Sequence, residues 1–150
     1  MLVDSNEQKL SFPQIVKTAL EETGGGRPVK DAMDLLTIEL NQPGVKPYRF
    51  GNTIFILHQN EEREDAGYFR ALNADSAQNY VNNSIKFIAA AADEGFKILI
   101  TRFDDDRPLQ VMNIFRKQAN QVGISWVVQN MKNGGYQAIF QLGKNAGSQQ

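Results

Sequence analysis

The spacing of apolar residues along the chain predicts two helices before any sheet. Ser11 suits the cap of a first helix that carries an apolar face. A second helix opens at Pro28, a residue suited to a first turn, and Asn41 and Pro43 end it. Gly24 to Gly26 form a link between the two helices. The apolar positions are Ile15, Val16, Ala19 and Leu20 in the first helix, and Val29, Ala32, Met33, Leu36 and Leu40 in the second.

Shorter apolar segments then predict three antiparallel strands. Residues 46–50 and 53–59 flank the turn-prone pair Gly51-Asn52, which is typical of a hairpin. The acidic stretch 60–65 is predicted to be the next turn, and residues 67–72 the third strand.

The strongest helical pattern lies between Ser76, a suitable cap, and Gly95, a suitable end. We expect this helix to lie across the sheet. The residues at helical spacing are Tyr80, Val81, Ser84, Ile85, Ile88, Ala89 and Ala92.

The last third of the chain predicts a strand, a helix and a hairpin. Residues 96–103 form a continuous apolar run, typical of a strand buried on both faces, and this favours a mixed or locally parallel sheet. An amphipathic helix is predicted over 109–122. The hairpin has arms at 125–131 and 136–142.

Composition limits the range of functions. With 150 residues and 41% hydrophobic content, the chain predicts one domain over 11–142, with tails at 1–10 and a flexible 143–150. A formal net charge of -1 gives no global field towards nucleic acid or an anionic membrane. The absence of cysteine excludes disulfides and thiolate metal sites. No apolar run approaches the roughly 18 to 20 residues of a membrane span, and no secretion signal is seen, so we expect a soluble protein.

The order of predicted elements resembles the N-acetyltransferase (GNAT) superfamily. From Ser11 to Leu142 it is two helices, three strands, a helix, a strand, a helix and two strands. The resemblance implies an α/β (α+β) fold in which helices flank a mixed, mainly antiparallel sheet. It also implies an acyl-coenzyme A signature between the central strand and the long helix: Gln or Arg, two residues, Gly, one residue, then Gly or Ala. Such a loop presents backbone N–H groups to a pyrophosphate.

The corresponding stretch here departs from that signature. Arg70 fits its first position, but Asn73 and Asp75 replace the two small residues, so a carboxylate stands where phosphate charge would be received. The candidates for cofactor binding are Arg70, Asn73 and Ser76.

The resemblance also implies a proton donor that the sequence lacks. Many members have a tyrosine four residues before the glycine that ends the last helix, where it protonates the thiolate leaving group. Counting back from Gly123 gives Ala119. Candidate bases are Glu61, Glu62 and the sole histidine, His58. The alternative is a solvated turn for the acids and an ordinary strand end for His58.

Two further clusters have structural and functional interpretations. Asp104 to Asp106 follow a buried strand, but consecutive carboxylates do not converge on one cation, so we predict no metal site. Trp126, Tyr136 and Phe140 on the hairpin are candidates for contact with a partner, and cross-strand pairing is the alternative. Nucleic-acid binding is disfavoured because few Lys and Arg residues alternate with these aromatics.

These patterns favour a noncatalytic GNAT-like module, without a cofactor, that acts in structure or protein binding. The chain is also similar to small internal and structural virion proteins of short-tailed bacteriophages, which implies virion components as partners and a virion or host-cytoplasm location. The alternatives are an N-acetyltransferase that binds acetyl-CoA through an atypical loop, and a small regulatory adaptor. The sequence also allows a homo-oligomer, because the final strand, 136–142, is a candidate sheet edge that could pair with a second chain.

Overall fold

The computed structural model describes residues 9–23, 28–103, 115–116, 123–132 and 134–142. These residues form three complete helices and one six-stranded sheet. The helices are α1 (Phe12–Thr23), α2 (Val29–Leu40) and α3 (Ala77–Asp93), and the strands are β1 (Val45–Phe50), β2 (Thr53–Gln59), β3 (Ala66–Asn73), β4 (Ile98–Phe103), β5 (Ile124–Asn130) and β6 (Tyr136–Leu142).

Both predicted serine caps are confirmed. The backbone N–H of Gln14 donates to Ser11 Oγ at 3.3 Å, and the N–H of Ser11 donates to Gln14 Oε1 at 2.7 Å, which closes a reciprocal cap on α1. Ser76 Oγ accepts from the N–H of Asn79 at 3.2 Å at the start of α3. Pro28 occupies the cap position of α2. The predicted link at 24–26 lies outside the described residues.

The sheet is mixed and mainly antiparallel, as predicted. Its strand order is β1-β2-β3-β4-β6-β5, and among these neighbours only β3 and β4 run parallel. The final strand, β6, lies between β4 and β5. The expectation that β6 forms an edge is therefore wrong, and β5 is the edge strand at this side of the sheet.

The face of the sheet that packs on α3 holds the larger core. Phe55 of β2 stacks on Phe87 of α3, with ring centroids 4.4 Å apart. Phe69 lies 5.0 Å from Phe87, and farther along the sheet Phe115 lies 5.5 Å from Phe140. One continuous aromatic cluster thus joins both halves of the sheet on this face.

The opposite face is covered over β1 to β3 by α1 and α2. Ile15, Val16 and Leu36 pack with Ile54 and Ile56 of β2 in a second core cluster. Among the described residues, that cluster includes members of β1, β2 and β3 and none of β4, β5 or β6.

The prediction that β4 is buried on both faces is wrong. Leu99 faces the large core and is fully buried, whereas Ile98 and Ile100 are half-buried and Arg102 is exposed. The difference arises from tertiary packing. The layer of α1 and α2 covers β1 to β3, and it does not cover the face of β4 that carries Ile98, Ile100 and Arg102.

Of the helix predicted over 109–122, the described residues include only Phe115 and Arg116, which are helical. Phe115 is buried in the large core. No helix within the described part of the chain is long and apolar enough to cross a membrane.

Candidate functional site

The loop between β3 and α3 contains the residues that the resemblance aligns with the acyl-coenzyme A signature. β3 ends at Asn73 and α3 begins at Ala77. A helix N-terminus has a partial positive charge and attracts anions. The backbone therefore provides the setting of an anion site, and the side chains of the loop decide what it accepts.

Asp75 directs its carboxylate towards the β1–β2 turn. Its Oδ2 accepts from the backbone N–H of Asn52 and from Nδ2 of Asn83, both at 2.8 Å. Its Oδ1 lies 3.3 Å from Nδ2 of Asn52, which also donates to it. These contacts bind the Asp75 carboxylate within the protein, and its negative charge would repel a phosphate brought to this loop.

Asn73, at the end of β3, also forms hydrogen bonds with the loop and with β2. Its Oδ1 accepts from Thr53 Oγ1 at 2.8 Å and from the N–H of Asp75 at 3.1 Å. The N–H of Ala74 donates to the carbonyl of Asn52 at 3.0 Å. Two consecutive loop amides are thus bound to acceptors within the protein and are not presented to a ligand.

The network extends into the interior through Asn83 of α3. Its Nδ2 donates to Thr53 Oγ1 at 3.0 Å, and both side chains are buried. Buried polar groups are costly unless they are hydrogen-bonded, so these contacts hold the loop against the β1–β2 turn. Gly51 allows this approach, because a Cβ there would lie 2.8 Å from Asp75 Oδ2 and its φ is +57°. We call Asn52, Thr53, Asn73, Asp75 and Asn83 the loop network.

The sequence analysis found Asn73 and Asp75 but missed Asn83. Its position was the available signal, because Asn83 lies three residues after Tyr80 and four before Phe87, on the side of α3 that faces the core. A polar residue at such a position needs a buried partner.

The parallel strands β3 and β4 separate next to this loop. They pair at three positions, Ala66 with Ile98, Gly67 with Leu99 and Tyr68 with Ile100, and the rest of β3 pairs with β2 alone among the described strands. On the α3 face the gap is bridged by Phe69 and Phe140, whose ring centroids are 5.9 Å apart.

The candidate base His58 lies on the opposite face, in a charged cluster that also includes the candidate Arg70. Glu39 at the end of α2 joins them: its Oε2 lies 2.5 Å from His58 Nε2, and its Oε1 accepts from Arg70 Nη2 at 2.5 Å. Arg70 therefore reaches α2 on the other face of the sheet from α3. A sequence pattern could not find Glu39, because no spacing rule relates α2 to β2 and β3.

Burial opposes ionisation of the Glu39 carboxyl, but hydrogen bonds and positive charge from Arg70 and His58 outweigh it and lower the pKa of Glu39. A carboxylate beside an imidazole can orient a general base. In this cluster the same carboxylate is also neutralised by a guanidinium.

The other candidate bases, Glu61 and Glu62, are exposed in the β2–β3 turn. The N–H of Glu62 donates to Asn60 Oδ1 at 2.8 Å, which is the geometry of a solvated turn. This turn lies at the opposite end of β3 from the loop network, about 20 to 25 Å away along the strand. The structure does not bring these acids together with the cofactor-loop candidates.

The three aromatic candidates of the hairpin lie on the face that packs on α3. Phe140 is a core residue, 3% exposed. Trp126 is half-buried and lies 6.0 Å from Phe115, and Tyr136 is half-buried and stacks on Phe103 at 5.7 Å. Trp126 is also paired across the strands with Phe140, with ring centroids 6.3 Å apart. Burial argues against direct contact of Phe140 with a partner, and all three side chains pack against aromatic neighbours across the strands.

A small cavity lies near the C-terminus of α3. It encloses about 100 Å³, and its lining includes Lys46, Gln59, Glu64 and Glu94. Lys46 Nζ and Glu94 Oε1 form an ion pair at 2.9 Å. The volume is well below the roughly 300 Å³ at which pockets for organic ligands begin.

Two sites of the sequence analysis lie outside the described residues. They are Ala119, the position of the missing proton donor, and the acidic run from Asp104 to Asp106. In the part of the chain that the structure describes, no three His, Cys, Asp or Glu side chains are grouped as metal ligands would be.

Comparison with known proteins supports the fold. No protein-family model and no curated protein matches the sequence. A solved structure, that of a candidate acetyltransferase of the GNAT family from Desulfovibrio desulfuricans, matches with a TM-score of 0.55. The match covers 90% of this chain and 94% of the other at 16% sequence identity. The chain therefore has a GNAT-like fold, and at this identity the similarity shows the fold alone.

Proposed function

We propose that this protein is a noncatalytic GNAT-like module that acts by binding other proteins. The observation behind the proposal is the loop network. The amides of Ala74 and Asp75 have acceptors within the protein, and Asp75 stands where the resemblance implies a small residue. A loop of this kind does not retain acetyl-CoA by the pyrophosphate, which is the contact that the signature serves.

Isothermal titration of the full chain with acetyl-CoA tests this proposal. We expect no saturable heat up to about 1 mM ligand, a limit that corresponds to a binding free energy near -4 kcal/mol. ADP, titrated in parallel, isolates the pyrophosphate contact from that of the acyl arm. Saturable, submillimolar binding of acetyl-CoA would overturn the proposal.

Virion components as partners are a narrower expectation, which rests on the sequence resemblance alone. A phage origin predicts capsid, portal or tail genes next to the gene for this chain. Metabolic or resistance genes in their place would favour an enzyme.

The second candidate function is an N-acetyltransferase with an atypical cofactor loop. The pairing of His58 with Glu39 favours it, because a carboxylate-oriented imidazole can deprotonate an amine. Release of free coenzyme A from acetyl-CoA in the presence of a panel of primary amines, followed with a thiol reagent, tests this function. An enzyme would release thiol above the background rate and lose this activity in His58→Asn, whereas the noncatalytic module would give the background rate in both.

A further inference from the structure

One row of side chains runs from the exposed Tyr68 near the start of β3 across β4, β6 and β5, on the face where α1 and α2 cover β1, β2 and the rest of β3. The register pairs Tyr68 with Ile100, Ile100 with Ile139, and Ile139 with Val127. Directly paired residues place their side chains on the same face, so these four form a continuous band over β3, β4, β6 and β5. We call this band the open stripe.

The open stripe is apolar and accessible. Val127 is 55% exposed, Tyr68 is 37% exposed, and Ile100 and Ile139 are half-buried. Three strand spacings of about 4.8 Å give the stripe a length of about 14 Å. Contiguous apolar surface marks interaction sites more often than single exposed side chains do, and the stripe joins two exposed residues through two half-buried ones.

A positive charge is fixed beside the stripe. Arg102 is exposed, its Nε donates to Gln137 Oε1 at 2.8 Å, and its guanidinium lies 5.2 Å from the centre of the Tyr68 ring. These two contacts restrain its rotation and leave other guanidinium N–H groups to bind a carboxylate. Within the described part of the chain, the ion pairs include none of Arg102.

The other charges near the stripe largely cancel. At its β3 end, Glu39 pairs with both His58 and Arg70. Arg102 and Gln137 lie along one long side of the stripe, and the uncharged residues Gln141 and Ser125 lie along the other. Asp104 to Asp106 lie outside the described residues. On the described face, Arg102 is the charge that a partner meets beside the apolar band.

We propose that the open stripe binds an acidic amphipathic helix of another protein. A helix that crosses the strands presents apolar side chains at positions i, i+4, i+7 and i+11 over about 16 Å, enough to span the stripe of about 14 Å. A glutamate or aspartate on the flank of that helix binds Arg102. The charge of Arg102 selects an acidic partner over a basic one, and the apolar band supplies the contact area.

This inference rests on the proposed function, because it names the surface and the partner of the binding module. The two can fail separately. Titration with acetyl-CoA examines the loop network, whereas the experiment below examines the opposite face of the sheet.

The test uses two labelled helical peptides of about 15 residues, with leucines along one face and either glutamates or lysines along its flank. Fluorescence anisotropy measures their binding to the full chain. We expect the glutamate peptide to bind at least tenfold more tightly than the lysine peptide. Arg102→Gln should weaken binding of the glutamate peptide about tenfold and remove the preference for it over the lysine peptide. Val127→Ser should weaken binding of both peptides.

The matched control is Leu35→Ser with Ile38→Ser, which removes another exposed apolar patch, on α2. That patch is not part of the stripe, so the control should bind both peptides with the affinity of the wild type. Thermal unfolding verifies that each variant is folded. Equal binding of the two peptides, no saturable binding of either, or loss of binding in the α2 control alone would overturn the proposal.

Discussion

The two halves of the sheet differ in how many of their faces are covered. Over β1 to β3, α1 and α2 pack on one face and α3 on the other, and Ile54 and Ile56 are at most 1% exposed. Over β4, β6 and β5 the large core covers one face, while the other includes Val127 at 55% exposure. Strands of similar composition therefore have different surroundings.

This difference suggests a division of roles. Apolar residues on the covered half contribute to stability by removing their surface from water. Val127 of the open stripe keeps more than half of its surface in water, so it contributes little to the stability of the isolated chain and is available to a partner. The following predictions test this contrast.

The largest effect is expected for an isoleucine of the covered half. Ile56→Ala should lower the free energy of unfolding by about 2 to 5 kcal/mol, because it leaves a cavity between β2 and the helices. Val127→Ala on the open half should change it by less than about 0.5 kcal/mol. Chemical denaturation of both variants measures the difference, and similar losses would show that the open half is buried in solution.

A second test concerns the polar part of the covered half. Asn83→Ala should lower the free energy of unfolding by about 1 to 3 kcal/mol, because Thr53 and Asp75 each lose a hydrogen bond in a buried setting. Asn82→Ala, one position along the same helix and exposed, is the control. If both variants have the same stability, the loop network does not hold the loop.

A smaller effect is expected at Glu39, on the boundary between the halves. The pKa of its carboxyl is lowered in the folded state, so its stabilising contribution is present above its unfolded pKa of about 4.5 and is lost as the pH falls through the folded value. Glu39→Gln should cost about 0.5 to 1 kcal/mol near pH 7 and less near pH 3.

Denaturation curves at the two pH values measure the difference in the free energy of unfolding between the wild type and Glu39→Gln. Glu61→Gln, in the exposed turn, should show no difference from the wild type at either pH. If this stability difference is the same at both pH values, or is larger near pH 3, the assigned role of Glu39 is wrong.

The smallest change in stability is expected for Arg102→Gln. The guanidinium is exposed and contacts Gln137 and Tyr68 at the surface, so its loss should cost no more than about 0.5 kcal/mol. A loss above about 2 kcal/mol in thermal unfolding would show that Arg102 supports the fold, which would undermine its assignment to binding.

Much of the fold could be predicted from the sequence. The Ser11 and Ser76 caps, the Gly51-Asn52 turn and the 3.6-residue stripes located the helices and the first hairpin within a few residues. These signals are local, since each depends on residues a few positions apart.

The candidate site was predictable only in part. The substitution of Asn73 and Asp75 for the small residues of the signature indicated a loop unsuited to phosphate. The partners of these side chains lie 20 to 23 residues back, in the β1–β2 turn, or in the second turn of α3. Glu39 is 19 and 31 residues from the two side chains that it joins. Local patterns contain no information about such pairs.

The sequence by itself determined where the chain forms helices and strands, because capping, turn geometry and apolar periodicity act over a few residues. It also placed Asp75 where the resemblance implies a small residue. Only the tertiary structure decided which part of the sheet α1 and α2 cover. In β5 and β6 the alternation places one apolar face in the large core and leaves Val127 and Ile139 among Ser and Gln residues on the other face. Because α1 and α2 pack over β1 to β3, and no described residue of β5 or β6 joins their cluster, Val127 and Ile139 stay at the surface.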